Sequence, residues 1–124
     1  MSEPDSKSWA IAYVEAQTCG ESVHENHPLW WPIGRFFDLQ YDRPEECWQA
    51  ILAVLDLNPQ ESVLGVLAAG PLEDLIDDHG EDFIERIEIE ARHSPPFRAL
   101  LQGVWKSSTP AIWARIERAR ATRR

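Results

Sequence analysis

The densest group of side chains able to do chemistry lies in residues 73–90, where Glu73, Asp74, Asp77, Asp78, Glu81, Asp82, Glu85, Glu88 and Glu90 face a single base, Arg86. Leu75, Ile76, Phe83, Ile84 and Ile87 are interleaved with them at helical spacing. The apolar stripe must turn inward, so the carboxylates project outward together. Such an anionic ridge can mimic the phosphate spacing of nucleic acid, or dock onto a basic protein surface and steer its association. A solvated face that keeps a domain soluble looks the same, and only the density of charge favours a partner. The expected partner-binding residues are Glu73, Asp74, Asp77, Asp78, Glu81, Asp82 and Glu85.

Carboxylates near histidines also raise metal chemistry. If Gly80 is set at the sixth position of a calcium loop, Leu75 falls at the first and His79 at the fifth, and the oxygen ligands are missing. Two Glu-x-x-His pairs, Glu21 with His24 and Glu90 with His93, have the spacing of di-iron bundle ligands, but one lies in a loop and the other at a helix end before Pro95. Cys19, His24, His27 and Cys47 could surround zinc, yet no Cys-x-x-Cys or His-x3-His spacing enforces it. No metal and no cofactor is therefore expected. Gly-x-Ser-x-Gly, a phosphate loop and Gly-x-Gly-x-x-Gly are all missing from the sequence, so the chain is not expected to be an enzyme.

Two other groups could contact a partner. Trp30 and Trp31 are neighbours ~100° apart on a helix, so both cannot face one core; an exposed tryptophan beside an acidic surface is what a binding hot spot looks like, and a tryptophan lying against its own neighbouring helix is at least as common. Arg115, Arg118, Arg120, Arg123 and Arg124 make the last helix basic enough to meet nucleic acid. Residues 1–90 hold 20 acids and 4 bases, a net of −16, whereas residues 91–124 hold 1 acid and 8 bases, a net of +7. Neutralisation within the chain is the simpler use of those arginines, and nucleic acid is the less favoured partner.

The elements that must position these groups read as helices throughout. Trp9, Ala12, Tyr13 and Ala16 mark the first, ended by Gly20. A second is expected from Pro28 to Leu39, kinking at Pro32 or beginning again from it. The third starts at the Asp42-Arg43-Pro44-Glu45-Glu46 signal and the fourth follows Pro59, with Gly70-Pro71 as an interruption. A short helix then ends at Gly80, placed as a left-handed C-terminal residue, and another spans 81–93. Phe97, Leu100, Leu101 and Trp105 share the inner face of the next, and Ile112, Trp113, Ile116 and Ala119 that of the last. No segment alternates as a strand would. The expected fold is all-α, a compact stack of short antiparallel helix pairs, HEAT- or armadillo-like between residues 43 and 92. Residues 1–124 are expected to form a single domain, frayed at 1–5 and 121–124.

The run Gly70-Pro71-Leu72-Glu73-Asp74-Leu75-Ile76, then His79 to Glu88, Phe97-Arg98, Gly103-Val104-Trp105 and Trp113, resembles a family of small bacterial proteins of unknown function. The resemblance covers the chain from about Trp9 to the last helix and implies a compact helical domain, with no activity attached. For Glu73-Asp74 and His79-Gly80 it implies a structural role at a helix junction. In size and charge alone such proteins are similar to immunity proteins, which cover the basic active surface of a toxin. No stretch is long and apolar enough to span a membrane, and the polar N-terminus has no secretory pattern, so a cytoplasmic chain with reduced cysteines is expected. The expected function is protein binding, as an immunity protein or antitoxin whose acidic ridge meets a basic toxin domain. A nucleic-acid-associated regulator using the basic last helix is the alternative, and a homodimer is one form such a binder takes.

Overall fold

The computed structural model describes residues 4–121, and their fold is all-α, with no strand among them. The contacts divide into two units, up to Leu64 and from Gly65, a division that falls inside one helix.

The first unit holds α1 (Ser6–Thr18), α2 (Trp31–Leu39) and α3 (Pro44–Asp56). Asp5 starts α1 by accepting the Ser8 amide at 2.7 Å, one of the donors a first turn leaves without a helical partner. Gly20, at φ +82°, turns the chain away after its end. Residues 28–30 are not helical, and of the two outcomes expected at Pro32 the helix begins afresh there: α2 starts at Trp31, with Pro32 in its first turn, where the missing amide costs nothing. Residues 24–30 instead form turns, with the His27 amide on the His24 carbonyl and the Trp30 amide on that of His27. Trp9 is the centre of the packing. Its indole N–H donates to the Pro32 carbonyl at 2.8 Å, and its ring lies 4.5 Å from that of Phe36, which Tyr13 meets edge-on. α3 opens with Pro44, Glu45 and Glu46 at its positive end and buries Cys47, Trp48, Ala50, Ile51, Val54 and Leu55. Each fully buried large apolar side chain adds about 1.5–3 kcal/mol against the entropy of ordering it.

The helix α4 (Glu61–Leu67) runs into a single wide π-helical turn, Ala68–Leu72. The expected interruption at Gly70-Pro71 takes this form: the wider turn admits proline without ending the helix. In the second unit α5 (Glu73–His93) follows, and it corrects the sequence reading at Gly80. Gly80 is not a left-handed terminus; the chain bends one residue earlier, at His79 (φ −136°, ψ 27°), and continues helically. Glycine is needed there for closeness, since a Cβ would stand 2.8 Å from Ser108 Oγ and 3.0 Å from Ile112 Cγ2. α6 (Pro95–Leu101) is capped by Ser94, whose Oγ accepts the Phe97 amide at 3.2 Å, and α7 (Pro110–Ala121) closes the unit. α6 stops at Leu101, so residues 102–109 are a loop and Trp105, expected on an inner helical face, is 74% exposed. No helix of the described residues is long and apolar enough to cross a membrane.

Candidate protein-binding surface

α5 carries its buried stripe through Leu75, Ile76, Gly80, Phe83, Ile84, Ile87 and Ala91, and the expected acidic residues occupy the remaining faces. They do not act as one group. Asp77, Asp78, Glu81, Asp82 and Glu85 are exposed, while Glu73 and Asp74 are half-buried. Glu73 Oε1 accepts the Trp105 backbone N–H and Asp77 Oδ1 that of Ser108, each at 3.2 Å. Two carboxylates of the run therefore anchor the 102–109 loop, and Asp78, Glu81, Asp82 and Glu85 form the outward ridge. Asp74 lies among like charges: burial first, then Asp78, Glu73 and Asp77, push its carboxyl above the usual aspartate range.

Farther along, Glu88 is held by Arg115 through two bonds, to Nε at 2.8 Å and Nη2 at 2.6 Å. The hydrogen bonds from Arg115 lower the Glu88 pKa, and the same pairing raises that of Arg115. Arg120 donates to the carbonyls of Leu101 and Val104 at 3.2 and 3.0 Å, and its guanidinium lies 5.0 Å from the Trp113 ring centre. Two cations of the basic helix thus serve the second unit itself. Arg118 is exposed on α7, and Arg123 and Arg124 lie outside the described residues.

The loop these groups hold is tightly specified. Gln102 Nε2 donates to the Arg120 carbonyl at 2.6 Å, Thr109 Oγ1 accepts the Ile112 amide at 3.2 Å, and Ser108 sits at φ +63°. A serine in the left-handed region is strained, and its surroundings must hold it there. The loop borders a shallow recess of about 490 Å³ lined by Trp105, Lys106, Trp113, Glu117 and Arg120. Sequence periodicity missed Trp105 because it continued the pattern of α6 four residues too far. The Lys106-Ser107-Ser108-Thr109 tract was the signal that a loop was near.

The aromatic candidates Trp30 and Trp31 belong to the first unit. The Trp30 indole lies against its own helix, where a Cβ on Gly34 would stand 2.6 Å from Nε1, and it stacks on Phe37 at 6.3 Å. Trp31 is the more open of the two, at 39%.

Of the possible zinc ligands, Cys19 and His27 come together with Glu21, their ligand atoms all within 4.8 Å of one another, whereas Cys47 is buried with its thiol toward the Phe36 carbonyl. His27 Nδ1 accepts the Leu29 amide at 3.0 Å, which leaves the ring proton on Nε2, the atom that meets Glu21. In this tautomer the ring is a hydrogen-bond donor to the carboxylate, and Nε2 has no lone pair to offer a metal. The arrangement ties the loop after α1 to the turn before α2.

A family model described as "Family of unknown function (DUF6869)" matches residues 20–124. No curated protein and no solved structure matches the chain.

Proposed function

The chain belongs to that family, which brings no activity with it, and from its own surface we propose that it is a protein-binding domain that docks a basic partner. The most specific form of this reading is an immunity protein or antitoxin that covers the basic surface of a toxin, acting in the cytoplasm without catalysis. The observation that carries it is the exposed row Asp78, Glu81, Asp82 and Glu85 on α5, with Asp78 just before the bend at His79 and the other three on the helix that continues after it. Crowded like charge opposes folding; at Asp74 burial first, and then Asp78, Glu73 and Asp77, raise the pKa. A surface kept at the expense of stability is a mark of binding function. The use of Arg115 and Arg120 inside the second unit favours this reading over nucleic-acid binding, because both guanidinium groups are already engaged there.

The test is a four-residue reversal, Asp78→Lys, Glu81→Lys, Asp82→Lys and Glu85→Lys, compared with the unmodified chain as bait for proteins of the source cell. A basic protein retained by the unmodified chain, released by salt and not retained by the reversal variant, is the expected result, with circular dichroism showing that the variant is folded. Co-expression should then relieve growth inhibition by that protein. Equal retention on both baits refutes the ridge, and a partner that inhibits nothing removes the toxin.

A further inference from the structure

A row of exposed carboxylates attracts cations but does little to select among them, since exposed ion pairs contribute about 0–1 kcal/mol each. Selection needs an anchor that excludes water, and anchors are most often Trp, Tyr or Arg on a pre-ordered surface. The second unit presents one such residue. Trp105 is the most exposed of its large hydrophobic side chains, yet the backbone that carries it is held on both sides. Its own N–H is bonded to Glu73, the Ser108 N–H to Asp77, and the Val104 carbonyl to Arg120. Gly103 packs close enough to Ala68 that a Cβ would stand 2.9 Å from the alanine Cβ. Such a loop has little freedom left to lose, so the indole is displayed rather than left loose. Both carboxylates that hold it belong to the same run of α5 as the outward row, which places the Trp105 backbone beside Glu73, five residues before Asp78.

We propose that Trp105 is the anchor of the acidic surface, and that it takes a lysine or arginine side chain of the basic partner onto its indole face while the ridge engages the neighbouring cations. The proposal rests on the protein-binding reading above and adds the chemistry of its central contact. The negative ridge selects a cationic occupant, and a tryptophan face is the strongest aromatic platform for one, worth about 0.5–2 kcal/mol. Lys106 and Arg120 outnumber Glu117 in the recess the ring lines, so an isolated cation gains little there, and the occupant must be a multiply charged segment that reaches the ridge at the same time.

The experiment is a low-salt titration of the full chain with an arginine-rich peptide, and with the same peptide in which citrulline replaces arginine, followed through the indole N–H resonances. The Trp105 signal is assigned from its loss in Trp105→Phe. Expected is a saturable shift of the Trp105 signal with arginine and not with citrulline, about tenfold weaker peptide binding in Trp105→Ala, and an intermediate loss in Trp105→Phe. The side chain is exposed, so these variants fold. If Trp105→Ala binds as tightly as the unmodified chain while the four-residue reversal abolishes binding, the anchor is wrong and the ridge stands. If the reversal leaves binding unchanged while Trp105→Ala weakens it, the ridge is wrong. A Trp105 signal that moves with protein concentration in the absence of peptide assigns the ring to a second copy of this chain and overturns the proposal.

Discussion

Replacing Gly80 by alanine should destabilise the protein even though it improves helix propensity. In an unobstructed helix interior the change is worth about 0.8–1 kcal/mol in favour of alanine. Here the new Cβ would lie 3.0 Å from Ile112 Cγ2 and 3.8 Å from its Cγ1, against an ordinary carbon–carbon contact of roughly 3.5–4.0 Å. Ile112 is buried and β-branched, so it cannot rotate away cheaply. Ser108 Oγ, at 2.8 Å, is on a residue already strained at φ +63°. Overpacking of this kind costs about 1–3 kcal/mol, which against the propensity gain leaves a net loss of up to about 2 kcal/mol and a fall in Tm of up to roughly 10 °C. Gly65 is the control. It is exposed in α4 with nothing within 4 Å of its Cβ position, so Gly65→Ala should gain about 0.5–1 kcal/mol. Urea unfolding followed by circular dichroism gives both numbers, provided the slope with denaturant is unchanged. Gly80→Asn separates close approach from the left-handed terminus that the sequence suggested. Asparagine tolerates a left-handed terminus and would then be the mildest substitution, whereas a close contact makes the larger side chain worse than alanine. A Gly80→Ala variant as stable as the unmodified chain, or an asparagine variant more stable than the alanine one, refutes the packing argument.

Three further outcomes follow from the same geometry. Trp9→Phe removes the donor to the Pro32 carbonyl and leaves a void beside Phe36, so unfolding free energy should fall by about 2–4 kcal/mol; no change in the denaturation midpoint would contradict the central role of Trp9. Glu88→Gln should destabilise at pH 7 and have no effect in strong acid. The folded pKa of Glu88 lies below its ordinary 4.5, so the stabilisation from Arg115 is complete above that value and disappears as pH falls through the folded pKa, which a pH series of melts will show. Asp74→Asn should act in the opposite direction. The Asp74 pKa is raised, so its ionisation opposes folding as pH rises above the ordinary 3.8, and the asparagine variant should melt higher at pH 7 with the advantage vanishing in acid.

The features of the fold legible in the sequence are those a short segment decides for itself. Pro32, Pro44, Pro95 and Pro110 each stand in a first helical turn, and Gly20 takes the left-handed turn after α1. Three features were decided from outside the segment. Gly70-Pro71 has the composition of a break, but a π-helical turn absorbs it. Gly80 follows a histidine in a polar stretch, as a terminating glycine does, while the reason for glycine lies 28 and 32 residues away at Ser108 and Ile112. Trp105 continues a helical period whose helix has already ended at Leu101, and nothing in its neighbours reveals that its backbone N–H is bonded to Glu73.

The acidic run itself was legible as a ridge, but its division of labour was not, because periodicity assigns a face and does not assign a partner. Glu73 and Asp77 stand four residues apart, one turn, and both accept backbone amides of the loop. Glu88 lies on the same helix and is paired with Arg115, so part of the charge between residues 73 and 90 is neutralised within the second unit by the basic segment that follows it. What remains outward is the row from Asp78 to Glu85. The sequence-level contrast of −16 and +7 therefore contains two different quantities: charge that closes the fold and charge presented to solvent. Removing Glu73 or Asp77 acts on the first and loosens the loop under Trp105. Removing Asp78, Glu81, Asp82 or Glu85 acts on the second and changes the field a partner meets. Since the loop and the row share one helix, mutations of the first kind should alter the order of Trp105 at any salt concentration, and mutations of the second kind should alter association chiefly at low salt.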